Sequence, residues 1–158
     1  MRHIIAIHLQ NEAGALTRVA GLFSSRGYNI ESLSVAPTDD PIVSRLTLVT
    51  TGNDSVIAQI IHQLGKLVDV VRVEDLTQGI HHERELLLLK LRAPASQLGA
   101  LNAAVATAGA HVLADAPEAF VVELTSSEAL VTRFITAASQ YGEVLEVVRS
   151  GSLGIGSR

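Results

Sequence analysis

The stretch Asn11-Glu12-Ala13-Gly14-Ala15-Leu16 has the residue types and order that could do chemistry. It follows an apolar segment of strand character, His3 to Leu9. It precedes a run in which Leu16, Val19, Ala20 and Phe23 recur at helical spacing. The first turn of a helix leaves about four backbone N–H groups without intrahelical acceptors, and the macrodipole adds partial positive charge there. A carboxylate suits that environment. Gly14 lets the chain turn and lets a ligand approach the backbone closely. Asn11 offers both a donor and an acceptor, either of which can meet the ammonium or the carboxylate of a free amino acid. Ala13 and Ala15 leave room, and Leu16 supplies an apolar wall. A strand-to-helix junction needs turn residues even when nothing binds, so the stretch draws its weight from its place in the fold.

Other candidates carry less. Six histidines are present, but none has H-x-x-x-H or H-E-x-x-H spacing. His81 and His82 are adjacent, His3 and His8 are five apart, and His62 and His111 stand alone, so no metal site is expected. Asp39-Asp40 lie on a hairpin tip between Pro37 and Pro41, where solvated turn residues are the simpler reading. Ser24-Ser25 and Ser126-Ser127 fall at helix ends, with no G-x-S-x-G elbow to make a nucleophile. The glycine-rich run from Gly151 to Gly156 follows the last strand and precedes no helix, which predicts a flexible tail over 151–158.

The elements that must position the Asn11 stretch form a repeating order. After the first helix, which Gly27 is placed to end, Asn29 to Ala36 reads as a strand. Pro37 to Pro41 is a turn, and Ile42 to Thr51 is a strand with Leu46 and Leu48 facing in and Arg45 and Thr47 facing out. Asn53-Asp54-Ser55 supplies cap chemistry for a helix striped by Ile57, Ile60, Ile61 and Leu64, and Val68 to Val73 closes the unit. The order β-α-β-β-α-β then recurs. It runs through strand Glu85–Arg92, a helix from Pro94 to Gly109, and a hairpin around Pro117-Glu118. A second helix follows, carrying Val131, Phe134, Ile135 and Ala138 and opened by a Thr125/Glu128 capping box, and then strand Val144–Arg149. This predicts an α+β protein of two ferredoxin-like domains in tandem, over 1–76 and 84–150, joined by a linker over 77–83. Each sheet has one face without helices, and the apolar character of the strands predicts that a partner covers it, hence an oligomer. The second unit has Ala93-Pro94-Ala95-Ser96 after its first strand, with no Asn-x-x-Gly, so no equivalent pocket is expected there.

Composition narrows the function classes. The chain has 158 residues, of which 47% are hydrophobic and only 3% aromatic, so its cores are aliphatic. The absence of cysteine rules out disulfides, thiolate metal sites and cysteine nucleophiles, and fits a reducing cytoplasm. The formal net charge is -4 and no Lys or Arg stands beside another, which argues against a nucleic-acid partner. No uninterrupted apolar run exceeds four residues, as at Leu86–Leu89, against the ~20 that span a bilayer. The N-terminus lacks the long apolar stretch and cleavage site of a signal peptide.

Within this frame the first 76 residues resemble an ACT domain, a family of amino-acid-sensing regulatory modules. The runs Asn11 to Val19, Gly21 to Leu33 and Val35 to Asp40 resemble the small subunit of acetohydroxyacid (acetolactate) synthase. Lys66-Leu67-Val68-Asp69-Val70 and Arg84-Glu85-Leu86 continue the likeness. The resemblance implies a non-catalytic regulatory subunit. Its partner would be a catalytic large subunit that uses thiamine diphosphate, Mg and FAD to condense pyruvate with pyruvate or 2-ketobutyrate, in branched-chain amino acid synthesis. It also implies activation of that partner, feedback inhibition by valine, and a homodimer through the ACT domains. In such a dimer valine would lie between Asn11, Ala13, Gly14, Ala15 and Leu16 of one chain and Asn29 and Ile30 of the other. Burying the isopropyl group would contribute roughly 1.5–3 kcal/mol, and one methylene would separate valine from leucine by about 1–3 kcal/mol. An ACT-type sensor of another enzyme or of a transcription factor is the alternative. A small enzyme on the same scaffold would need a convergent catalytic set that the sequence does not show.

Overall fold

The computed structural model describes residues 1–158. The elements are β1 (Arg2–Gln10), α1 (Ala15–Ser25), β2 (Ile30–Pro37), β3 (Val43–Thr51), α2 (Asp54–Leu64), β4 (Val70–Asp75), β5 (His81–Arg92), α3 (Leu98–Thr107), β6 (His111–Ala114), β7 (Phe120–Ser126), α4 (Glu128–Ala138), β8 (Glu143–Arg149) and β9 (Leu153–Gly156). The chain forms two units, Met1–His82 together with Ser152–Arg158, and Glu83–Gly151. Strand order is β2-β3-β1-β4 in one sheet and β6-β7-β5-β8 in the other. All these pairings are antiparallel. The β-α-β-β-α-β order thus folds twice into a ferredoxin-like unit, giving the α+β class.

Alternation along the strands builds each core. In the first unit Ile5, Ile7 and Leu9 of β1 meet Val19 and Phe23 of α1 and Ile57, Ile60 and Leu64 of α2. In the second, Leu87, Leu89 and Leu91 of β5 meet Leu101 and Val105 of α3 and Val131 and Phe134 of α4. Asn53 caps α2 by accepting from the Ser55 amide at 2.9 Å, as its type suggests. Gly27 and Gly109 take positive φ where α1 and α3 stop.

Several expectations need correction. The run 151–158 is not a loose tail. Leu153–Gly156 forms β9, which pairs with β5 and lies over the helix-free face of the first sheet. There Ile4, Ala6, Val49 and Leu76 form a small separate core. Arg45 donates to the Gly154 carbonyl at 2.6 Å, and Ser152 is buried. The face expected to await a partner is therefore partly covered by the chain itself, and Thr47, expected to face water, is 3% exposed. His8 shares this face, opposite Arg45 and Arg72. Burial, and then Arg45, push its pKa below the ordinary histidine value.

The span expected as a linker is also ordered. Leu76–Gln78 make a 3-10 turn capped by Asp75, and β5 begins at His81. In α4 the cap is Ser127, which accepts from the Leu130 amide at 3.4 Å, and not Thr125, which lies within β7. On α1 the buried stripe is Ala15, Val19 and Phe23, so Leu16 points outward at 37% exposure. The last strand of the first unit begins at Val70, since Val68 is exposed and Asp69 turns inward.

Candidate functional site

The Asn11 stretch occupies the junction between β1 and α1, where the chain leaves the sheet. The Asn11 amide donates to the Ile42 carbonyl at 2.9 Å, and its side-chain Nδ2 donates to the Pro41 carbonyl at 3.1 Å. Both bonds tie it to the β2–β3 turn; the residue is exposed and its Oδ1 accepts no hydrogen bond within the chain. Asp39 and Asp40 belong to that turn, where Asp40 Oδ1 accepts from the Ile42 amide at 3.1 Å. They are turn-formers, as the sequence suggests.

Gly14 sits at φ 86°, ψ -13°, a left-handed conformation that an L side chain adopts at a cost. It is the N-cap of α1, and nothing caps that helix by a side chain; its first turn holds no acidic residue. By contrast α2 has Asn53 and Asp54, and α4 has Ser127 and Glu128. Ala15 N–H bonds the Glu12 carbonyl at 3.3 Å, and the Gly14 carbonyl takes the first helical bond, from Arg18 at 3.0 Å. The N–H groups of Ala13, Gly14, Leu16 and Thr17 accordingly have no acceptor in the chain. Ala13, Gly14 and Leu16 are exposed, whereas Ala15 is buried. Partial positive charge, free donors and an apolar wall at Leu16 meet on one small surface.

Arg18 belongs with these residues, and sequence reading passed it over. Its guanidinium lies above Gly14, with its two terminal nitrogens 3.5 and 3.7 Å from where a Gly14 Cβ would stand. It is held there by the carboxylate of Asp69, which is 3% exposed and whose backbone carbonyl accepts from the Gln10 amide at 2.7 Å. The Asp69 hydrogen bond and charge raise the Arg18 pKa further, so its charge is permanent. The available signal was the i, i+4 spacing of Gly14 and Arg18, which puts both on one helix face. The Asp69 contact, 51 residues along the chain, had none.

Asn29 and Ile30 lie elsewhere. Ile30 is level with Thr50, and Thr50 with His3 at the start of β1, whereas Asn11 follows Gln10, which is level with Val43. Seven strand steps at about 3.3 Å put the two groups roughly 25 Å apart in one chain. The structure thus brings Asn11, Ala13, Gly14, Ala15 and Leu16 together and leaves Asn29 and Ile30 at the opposite end of the sheet. No group of three His, Cys, Asp or Glu side chains is arranged to hold a metal ion, and no helix is long and apolar enough to cross a membrane.

Comparison with known proteins follows these geometric lines. Residues 5–72 match the family model described as the AHAS small subunit-like ACT domain, and residues 84–158 match that of the small subunit of acetolactate synthase. The acetolactate synthase isozyme 3 small subunit of Escherichia coli is 43% identical over 98% of this chain and 95% of its own length. The acetolactate synthase small subunit of Haemophilus influenzae is 41% identical over the same shares. The crystal structure of the acetolactate synthase small subunit from Thermotoga maritima superposes with a TM-score of 0.89 at 30% identity, covering 100% of this chain and 98% of that one.

Proposed function

This chain belongs to the family of acetolactate synthase small subunits, and on that premise we propose that it is a non-catalytic regulatory subunit that carries valine feedback to a catalytic large subunit in the cytoplasm. In this reading the chain activates its partner and holds no cofactor. Thiamine diphosphate, Mg and FAD belong to the catalytic chain. The observation that supports it most is the uncapped start of α1 under Arg18, an anion seat with an apolar wall and nothing of its own to fill it.

The other half of the valine site is supplied by a second copy. β2 is an edge strand, and an unpaired edge is a template for another strand. Two β2 strands pairing antiparallel about a two-fold make a self-complementary interface. That pairing sets Ile30 of one copy beside the Pro37 end of the other, the end where Asn11 to Leu16 lie. The roughly 25 Å gap within one chain closes between chains, and two equal sites result. In each, the free amides and Arg18 take the carboxylate, and Asn11 Oδ1 with the partner's Asn29 takes the ammonium. Leu16 and the partner's Ile30 enclose the isopropyl group.

A ligand bridging two chains shifts a quaternary equilibrium by its difference in affinity for the two arrangements. The effect is reciprocal, so engagement of the catalytic subunit changes valine affinity by the same factor. The test is the activity of the catalytic subunit with and without this chain across a valine series. Activity is expected to rise on adding the chain and fall with valine. Arg18→Gln is expected to raise half-inhibition about tenfold, the loss of one charge-assisted bond. A catalytic subunit indifferent to the chain would end this reading.

A further inference from the structure

β2 begins irregularly. Ile30 is level with Thr50 and Ser32 with Val49, so Glu31 is one residue more than β3 has to oppose it. Such a bulge bends the strand and re-aims the side chains beside it, and it is common at sheet edges and next to active sites. Three successive residues where β3 ends hold this start. Thr50 Oγ1 donates to the Asn29 carbonyl at 2.6 Å, Thr51 Oγ1 donates to Glu31 Oε1, and Gly52 lies against the ring of Tyr28.

Thr50 is the exception on its face. It follows Leu46 and Leu48 on the side of β3 that meets the helices, and like them it is 0% exposed. An aliphatic side chain would fill that place. The hydroxyl has one hydrogen-bond partner, the Asn29 carbonyl. Gly52 is as constrained. A Cβ there would stand 1.9 Å from Tyr28 Cε1, and the Gly52 amide donates to the Met1 carbonyl at 2.9 Å, which keeps the backbone from retreating. Tyr28 in turn packs on the core of the first unit. Asn29 is thus fixed by its own carbonyl and by the residue before it. Its side chain is exposed and makes no hydrogen bond within the chain. A held backbone under a free amide is the arrangement of a preorganised ligand contact.

We propose that Thr50 and Gly52 are positioning residues for the effector site of the second copy: they set the bulged start of β2 so that Asn29 meets the effector's ammonium across the interface. The proposal rests on the two-chain reading above and adds to it two residues that touch no ligand.

Full-length Thr50→Val, which keeps the shape and removes the hydroxyl, is titrated with valine by calorimetry, with oligomeric state measured in parallel. Valine affinity is expected to fall at least fivefold, and Thr50→Ser to stay within twofold of wild type. Gly52→Ala, which displaces a side chain and not the backbone, is also expected to lose at least fivefold. A mixed dimer tells positioning from general damage. Thr50→Val chains are paired with chains bearing Gly14→Asp, which blocks the anion seat of its own chain. The one open site then joins the loop of the Thr50→Val chain to an Asn29 held by an unaltered Thr50, and is expected to bind valine with wild-type affinity. Weak binding there would mean that Thr50 acts on its own chain's loop, and overturns the proposal. So does wild-type affinity in both the Thr50→Val and Gly52→Ala homodimers. Loss of the dimer in both variants would give these residues to the interface in place of the site, and overturns it too. Wild-type affinity in Asn29→Ala would remove the two-chain reading itself, and is told apart because it alters neither positioning residue.

Discussion

Gly14→Asp is expected to weaken valine binding at least 100-fold, about 3 kcal/mol, while activation of the catalytic subunit persists. The new carboxylate would stand where the ligand's own carboxylate belongs, within reach of the Arg18 guanidinium that now lies 3.5 Å from the Cβ position. It would compete with Asp69 and with the ligand for that guanidinium and take up the anion seat at the start of α1. Aspartate tolerates the left-handed conformation better than most residues, so the backbone cost is about 1–2 kcal/mol and the unit stays folded. Gly14→Ala has similar backbone cost and no charge. It is expected to stay within tenfold of wild type, and the difference between the two isolates the electrostatic part. Valine inhibition equal to wild type in the aspartate variant would contradict the site.

The second large effect concerns β9. Gly154→Leu is expected to destabilise the first unit by about 2–3 kcal/mol in urea unfolding, the usual cost of overfilling a packed site. A Cβ there would stand 2.8 Å from the Cδ1 atoms of both Ile4 and Leu76, which are 1% and 5% exposed and have nowhere to retreat. Ile155→Ala, at a residue 58% exposed, is expected to change stability by no more than about 0.5 kcal/mol. A mobile terminus would make both substitutions equally silent, and that result would separate β9 from the first unit's core.

What could be read from the sequence was what has a period. The stripes Ile57/Ile60/Leu64 and Val131/Phe134/Ala138, and the alternation of Leu87, Leu89 and Leu91, gave both units, because spacing alone decides which side of an element is buried. What could not be read depends on residues distant in the chain. Leu153-Gly154-Ile155-Gly156 has the composition of a linker, yet its glycine is set by Ile4 and Leu76. Asp69 looks like a strand residue until Arg18 draws it inward and delays β4 to Val70. Leu16 fits the apolar stripe by spacing, but Ala15 takes the buried place and leaves Leu16 facing outward. In the candidate site the glycine, the asparagine and the uncapped amides were evident from local chemistry. The charge over them was not, since a salt bridge 51 residues long has no local signature.

The central claim is that each valine site is made of two chains, and a mixed dimer tests it. Chains bearing Gly14→Asp and chains bearing Asn29→Ala are co-expressed with different tags, and the heterodimer is purified. One of its sites combines both substitutions. The other joins an unaltered Gly14 loop to an unaltered Asn29. Calorimetry is expected to find one high-affinity valine per heterodimer, although each parent homodimer binds weakly or not at all. A heterodimer as deficient as its parents would show that loop and strand do not meet across chains.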